Sequence, residues 1–203
     1  MSGEISAEAG LGLRERKKLR TRRAIRREAY RLFAEQGYQA TTVEQIAAAA
    51  EVSPSTVFRY FATKEDIVLA DEHDLPLAEA LRARPRDEPL LESLRRVVAD
   101  SIGAVIERDA AALAVQIRLA TSDPDIRARA FEDQFTSQRR LAELIAERTG
   151  RAPDDLDVAT AAAAVIALSF TVLRHWVDGG CTADVTALYD RQFAFLAAGL
   201  PFS

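Results

Sequence analysis

Apolar residues recur along this chain with helical spacing and period-two alternation is scarce, so the sequence predicts an all-α protein. Between about 19 and 36, Ile25, Ala29, Leu32 and Phe33 fall at i, i+4, i+7 and i+8, one face of a helix that Gly37 ends. Thr41 followed by Glu44 has capping-box spacing and opens a short helix through Val43, Ile46, Ala47 and Ala50. Ser53-Pro54 gives an N-cap and a proline at the first helical position, opening another short helix through Val57 and Phe61. Thr63 with Asp66 caps a fourth, through Ile67, Val68 and Leu69. Beyond a Pro- and charge-rich stretch at 82–89, longer helices are predicted over 89–108, 110–121, 124–149, 154–178 and 184–198, with no fixed-period repeat.

These elements divide the chain into three parts. Residues 1–13 are polar and glycine-dotted and read as a disordered tail; 14–62 read as a three-helix DNA-binding domain and 63–203 as a larger helical domain. The last two helices of the first domain, separated by Glu51-Val52-Ser53, meet the demands of a helix-turn-helix. Ala47 is small where the two helices approach, and Val52, Val57 and Phe61 supply inner contacts. Ser55, Thr56, Arg59 and Tyr60 then project away from that seam, so 53–61 is a stiff rod suited to a DNA major groove.

Charge strengthens this picture. The net charge is −4, but residues 14–31 hold ten basic residues against Glu15 and Glu28, a net of +8, which leaves −12 for the rest. A basic block that includes Arg22, on the helix before the helix-turn-helix, can neutralise phosphates.

The strings Phe33-Ala34-Glu35-Gln36-Gly37-Tyr38, Thr41-Thr42-Val43-Glu44-Gln45-Ile46-Ala47, Val52-Ser53, Thr56-Val57-Phe58-Arg59-Tyr60-Phe61 and Lys64-Glu65 resemble the TetR family signature over about 45 residues. The resemblance implies a repressor that binds a palindromic operator as a homodimer and is released by a small ligand. It implies a phosphate contact for Thr42, recognition-helix roles for Ser55, Thr56, Arg59 and Tyr60, with Ser53 at the head of that helix, and a phosphate contact for Lys64. Two positions depart from the pattern: Glu51 stands where the turn commonly has glycine, and Phe58 stands where tyrosine is usual. Phe58-Arg59-Tyr60-Phe61, Thr63-Lys64-Glu65-Asp66, Val68-Leu69 and Asp71-Glu72-His73-Asp74 are similar to a subgroup that binds acyl-CoA-like ligands and includes the mycofactocin-system regulator, with His73 where tyrosine is expected.

In the second domain, polar residues that interrupt inward apolar stripes are the candidate effector contacts. Ser101 lies on the stripe of 89–108, Gln116 beside Leu113, Ile117 and Ala120, and Gln134 and Gln138 among Ala130, Phe131, Phe135, Leu141, Leu144 and Ile145. Helix 154–178 is apolar nearly all round. Polar interruptions in 158–177 argue for a buried helix over a membrane span, and such a helix needs a partner subunit to cover its second side. Val165, Val172, Trp176, Tyr189, Phe193 and Leu196 are the residues expected at that dimer interface.

Other classes fare worse. Two histidines without metal-ligand spacing, one cysteine and no Gly-rich or Gly-x-Ser-x-Gly element give an enzyme little to work with. No metal, cofactor or membrane partner is expected. Cys181 alone fits a reducing cytosol, and no signal peptide is visible in 1–13, so the expected location is the cytoplasm. The alternative left open is a helix-turn-helix adaptor governed by protein partners without a small ligand.

Overall fold

The computed structural model of the chain describes residues 12–69 and 74–201. It divides into two compact units, Met1–Ala70 and Asp71–Ser203, and among the described residues every regular element is a helix.

The first unit contains α1 (Leu13–Gln36), α2 (Val43–Ala49), α3 (Pro54–Tyr60) and α4 (Lys64–Leu69). The expected tail lies outside the described residues over 1–11, whereas Leu13 is already helical. The Arg- and Lys-rich run before residue 19 contains strong helix formers and no breaker, so the helix extends further back than its apolar face. The cap of α2 also sits one residue beyond the predicted one. The Thr42 hydroxyl accepts from the Gln45 amide at 3.2 Å, and the Gln45 side chain accepts from the Thr42 amide at 2.9 Å. Thr41 is instead buried, donating to the Gly37 carbonyl at 2.8 Å and accepting from Gln36 at 3.1 Å.

Helix α2 ends in a Schellman arrangement: the Val52 amide reaches the Ala47 carbonyl at 2.9 Å and the Glu51 amide reaches that of Ala48 at 3.2 Å. That geometry places Glu51 at φ +55°, a region in which glycine is at ease and a glutamate is strained. Ser53 then caps α3 with Pro54 in its first turn, and Thr63 and Asp66 cap α4 reciprocally at 3.0 and 3.1 Å. Ile25, Ala29, Phe33, Ile46, Ala47, Val57, Phe61, Ile67 and Val68 form the buried core. The Tyr30 hydroxyl ties α1 to α4 by donating to the Val68 carbonyl at 2.9 Å. The first unit therefore includes α4, where the sequence places its boundary at 62.

The second unit contains α5 (Asp74–Ala83), α6 (Leu90–Ser122), α7 (Pro124–Thr149), α8 (Leu156–Asp178) and α9 (Val185–Ala197). The periodicity predicts no separate helix at α5; Pro76 falls in its first turn, where an amide is not needed. The two predicted helices 89–108 and 110–121 run as one element broken at Asp109, whose backbone is non-helical (φ −161°, ψ 77°). Its carboxylate accepts from the Ala112 amide at 2.9 Å and so caps the second segment. Asp123, Asp155 and Asp184 cap α7, α8 and α9.

Leu94, Val97, Leu113, Ile117, Leu141, Ile145, Val158 and Ala162 belong to one apolar core with residues of α9. The connection from α5 to α6 is held by Arg148, which donates to the carbonyls of Arg84, Pro85 and Glu88 and to the buried Ser93 hydroxyl at 3.0 Å. Glu88 pairs with Arg84 and accepts from Ser93 at 2.6 Å. These partners, Arg84 foremost, hold the Glu88 carboxyl down to about 2. Arg95 pairs with Glu92 and with Asp190, joining α6 to α9.

Five of the six residues expected at a dimer interface lie in this core. Val165, Val172, Trp176, Tyr189 and Phe193 are buried within the single chain, while Leu196 is half-buried. The Trp176 indole donates to the Ala183 carbonyl at 3.1 Å, and the Tyr189 hydroxyl donates to that of Ser169 at 3.3 Å. Nor is α8 a fully buried helix. Among the described residues it alone is long and apolar enough to cross a membrane, yet only 28% of its most apolar window is buried. Its bare side carries Ala164, Ala167, Phe170 and Thr171, and α9 exposes Ala187 and Ala194.

Candidate nucleic-acid interface

Helix α3 is the centre of the first unit's polar surface. Val57 is turned into the core, which leaves Ser55, Phe58 and Arg59 exposed and Thr56 and Tyr60 half-buried. At the head of the helix three hydroxyls form a knot: Ser53 Oγ lies 2.9 Å from both Ser55 Oγ and Thr56 Oγ1, and accepts from the Thr56 amide at 3.2 Å. Ser53 therefore fixes the start of the helix, and Ser55 and Thr56 are the hydroxyls it orients. Farther along, the Arg59 guanidinium lies 5.4 Å from the centre of the Tyr60 ring, a cation-π contact that presents both side chains together.

Thr42, exposed at the head of α2, uses its oxygen as an acceptor for the Gln45 amide, so its hydroxyl hydrogen remains available to an anion. Arg22 is half-buried, its guanidinium 5.3 Å from the Phe61 ring centre. It braces the end of α3 against α1.

Lys64 departs from expectation. Its ammonium donates to the Tyr38 carbonyl at 2.9 Å and the Thr41 carbonyl at 3.1 Å, and sits 4.0 Å from the centre of the Tyr38 ring. Lys64 thus clamps the connection between α1 and α2, using two of its three ammonium N–H groups. The Tyr38 hydroxyl in turn donates to Glu65 at 2.7 Å. Burial alone would raise the Glu65 carboxyl, but this bond and its local partners outweigh burial and leave it below the usual range.

Two features lie outside the predicted contacts. Phe58 is 51% exposed on the presented side of α3, an apolar ring beside polar readers. Arg59 and Tyr60 also share a cleft of about 560 Å3 with Arg14, Lys17 and Lys18 from the first turns of α1. A helical wheel of α3 shows the first; the second needs the packing of α1 on α3.

In the second unit, Ser101 lies in the first half of α6, Gln116 beyond the Asp109 break, and Gln134 and Gln138 on α7; all four are half-buried. Gln134 and Gln138 continue the inward row of Ile126, Ala130, Leu141 and Ile145. Phe131 and Phe135, predicted on that stripe, instead stack edge to face at 5.1 Å with 60% and 54% exposure. Two clefts of this unit, about 90 and 260 Å3, are lined by other residues, the first around Arg82 and Glu147 and the second around His175 and Arg191. Among the described residues, no three histidine, cysteine, aspartate or glutamate side chains gather as a metal site.

Comparison with known proteins agrees with this layout. Residues 25–70 match the family described as bacterial regulatory proteins, tetR family, and residues 88–201 match the MftR C-terminal domain. The HTH-type transcriptional regulator TcmR of Streptomyces glaucescens is 39% identical over 157 residues, 74% of this chain and 70% of that protein. Among solved structures, the fatty acid degradation regulator FadR of Bacillus halodurans is 26% identical with a TM-score of 0.65, covering 90% of this chain and 97% of that one. The FadR repressor of Thermus thermophilus, solved in complex with lauroyl-CoA, is 25% identical with a TM-score of 0.59, covering 90% and 96%. The chain belongs to the TetR family of bacterial transcriptional regulators, with a helix-turn-helix unit followed by a C-terminal domain of the MftR kind.

Proposed function

We propose that this regulator is a repressor that binds a palindromic duplex operator as a homodimer in the cytoplasm and is released by a small acyl-CoA-like effector. The observation that carries the reading is the face of α3, on which Ser55, Thr56, Arg59 and Tyr60 stand clear of a core closed by Val57 and Phe61. Side chains of this type on a protruding helix can meet base edges in a major groove. Thr42 and the basic side of α1 supply phosphate contacts, which fix register on the duplex.

Homodimerisation is supported by the bare apolar stripe of α8 and its neighbours on α9, which a second copy can seal. Two-fold symmetry then sets two recognition helices about 34–36 Å apart, one helical turn of DNA. The inward amides of Gln134 and Gln138, with Gln116 and Ser101, are the proposed polar contacts to the effector. The acyl-CoA class is supported by the FadR relative bound to lauroyl-CoA. Residues 70–73, between α4 and α5, lie outside the described residues. Effector binding is proposed to change the spacing of the recognition helices, with a coupling of about 1–3 kcal/mol.

Selection of duplexes from a random pool by the full chain tests the first half. Enrichment of an inverted repeat with half-sites about 10 base pairs apart is expected; enrichment of no duplex defeats the reading. Titrating the bound complex with lauroyl-CoA should weaken binding roughly 5–150-fold, and an unchanged affinity removes the acyl-CoA class.

A further inference from the structure

We infer that Phe58 is a specificity-determining residue, whose ring packs on the 5-methyl group of a thymine in each operator half-site. The inference rests on the DNA-binding reading above and deepens it, naming a base the operator carries and a residue that reading does not assign.

On α3, Ser55, Phe58 and Arg59 fall at i, i+3 and i+4, one exposed ridge of the helix. Thr56 and Tyr60, at i and i+4, take the next row and are half-buried. Four of these five side chains carry a hydrogen-bonding group. Phe58 carries none, because the hydroxyl of the tyrosine usual in the family pattern is missing here. Whatever it meets on DNA, it meets through apolar contact alone.

Packing inside the unit does not account for the ring. Among the described residues of the first unit, Leu13 and Phe58 are the exposed large apolar side chains, and Leu13 stands at the far end of α1 from Gly37. Phe33 packs on Tyr38, while Phe61 and Tyr60 each lie under a guanidinium. Phe58 is 51% exposed, and among the described residues no second ring or cation lies against it. Covering that surface on binding is favourable, since apolar area leaves water.

The major groove narrows what can cover it. Base edges there present hydrogen-bond donors and acceptors and one apolar feature, the thymine 5-methyl group. A phenyl ring set against an amino group, O6 or N7 strips water from a polar atom and returns no hydrogen bond. Set against the methyl group, it desolvates apolar surface only. Register follows from the same ridge. Residues three apart on a helix, as Ser55 and Phe58 are, stand about 5–6 Å apart at Cβ, and bases rise about 3.4 Å per step. The thymine therefore lies within about two base pairs of the base that Ser55 meets.

The test uses the full chain and a duplex that the wild type selects from a random pool, with each thymine replaced in turn by deoxyuridine, which lacks only the methyl group. Affinity is measured by fluorescence anisotropy. One thymine in each half-site should be sensitive: replacing it weakens wild-type binding about 4-fold, and replacing both weakens it about 15-fold, as for buried groups of methylene size. Phe58→Ala should bind the thymine and uracil duplexes equally at that position, and Phe58→Leu should regain part of the difference. Circular dichroism confirms that each variant is folded, as expected for an exposed position. A wild type with no sensitive thymine overturns the inference. So does a sensitivity that Phe58→Ala retains, which gives the methyl group to another residue. Uniform weakening by Phe58→Ala with no effect of uracil, as from a ring resting on deoxyribose, overturns it too. A wild type that selects no duplex is a separate outcome and removes the regulator reading together with this one.

Discussion

The Lys64 ammonium lies 2.9 Å from the Tyr38 carbonyl oxygen and 4.0 Å from the centre of the Tyr38 ring. One side chain from the start of α4 thereby secures the connection that positions α2. Lys64→Ala is expected to lower the stability of the first unit by about 1–2 kcal/mol, the usual size for losing charge-assisted bonds. It should leave the salt slope of DNA binding unchanged. Thermal melts and a salt series separate the possibilities: a shallower slope with no loss of stability would restore the phosphate role.

At the end of α2, Glu51 holds φ +55° inside a hydrogen-bonded turn. Glu51→Gly removes that strain, partly offset by the greater freedom of glycine in the unfolded chain, for a net gain of about 0.5–1 kcal/mol. A rise of about 2–3 °C in melting temperature is the expected readout. An unchanged or lower melting temperature would mean that the Glu51 side chain makes a compensating contribution.

Acid should unfasten the second unit. The guanidinium of Arg84 holds Glu88, and that of Arg95 holds Glu92, at about 2, below the ordinary value of 4.5. A carboxyl depressed in the folded state stabilises above its unfolded value and loses that contribution as pH falls. Melting temperature should therefore decline as pH drops from about 5 toward 2, and less steeply in Glu88→Gln/Glu92→Gln than in wild type. Parallel curves for the two proteins would remove these pairs from the acid response.

Burial separates core from interface on α8 and α9. Phe193→Ala opens a cavity in a filled core and should cost about 3–5 kcal/mol. Ala167→Arg, on the bare stripe, should leave the fold intact and abolish the proposed dimer. Analytical ultracentrifugation with circular dichroism reads both, and a folded Ala167→Arg protein that stays dimeric would move the proposed interface elsewhere.

Local signals were legible wherever the deciding chemistry is local. The caps at Ser53 and Thr63 and the break near Asp109 are set by residues within one turn, and the structure has them where the sequence puts them. The cap of α2 slipped by one because Thr41 and Thr42 are equivalent in sequence, and only the burial of the Thr41 hydroxyl decides between them. Phe131 and Phe135 were misplaced because helical periodicity finds an apolar row without saying whether it faces the core. The same limit applies to Trp176 and Phe193, since a core and a subunit interface select the same residue types. The clamp made by Lys64 was not legible because a basic residue at a helix start looks the same in sequence whether or not its ammonium reaches carbonyls two helices away.

A last consequence follows from the half-clad state of α8. A lone chain in water keeps much of its most hydropathic segment wet, so sealing that surface in the proposed homodimer would add to the stability of the native state. Association then adds to the stability that the single chain's own core supplies, and the denaturation midpoint should climb with the logarithm of protein concentration. Dilution alone would loosen the molecule, and a cell making few copies would hold a less durable regulator than one making many.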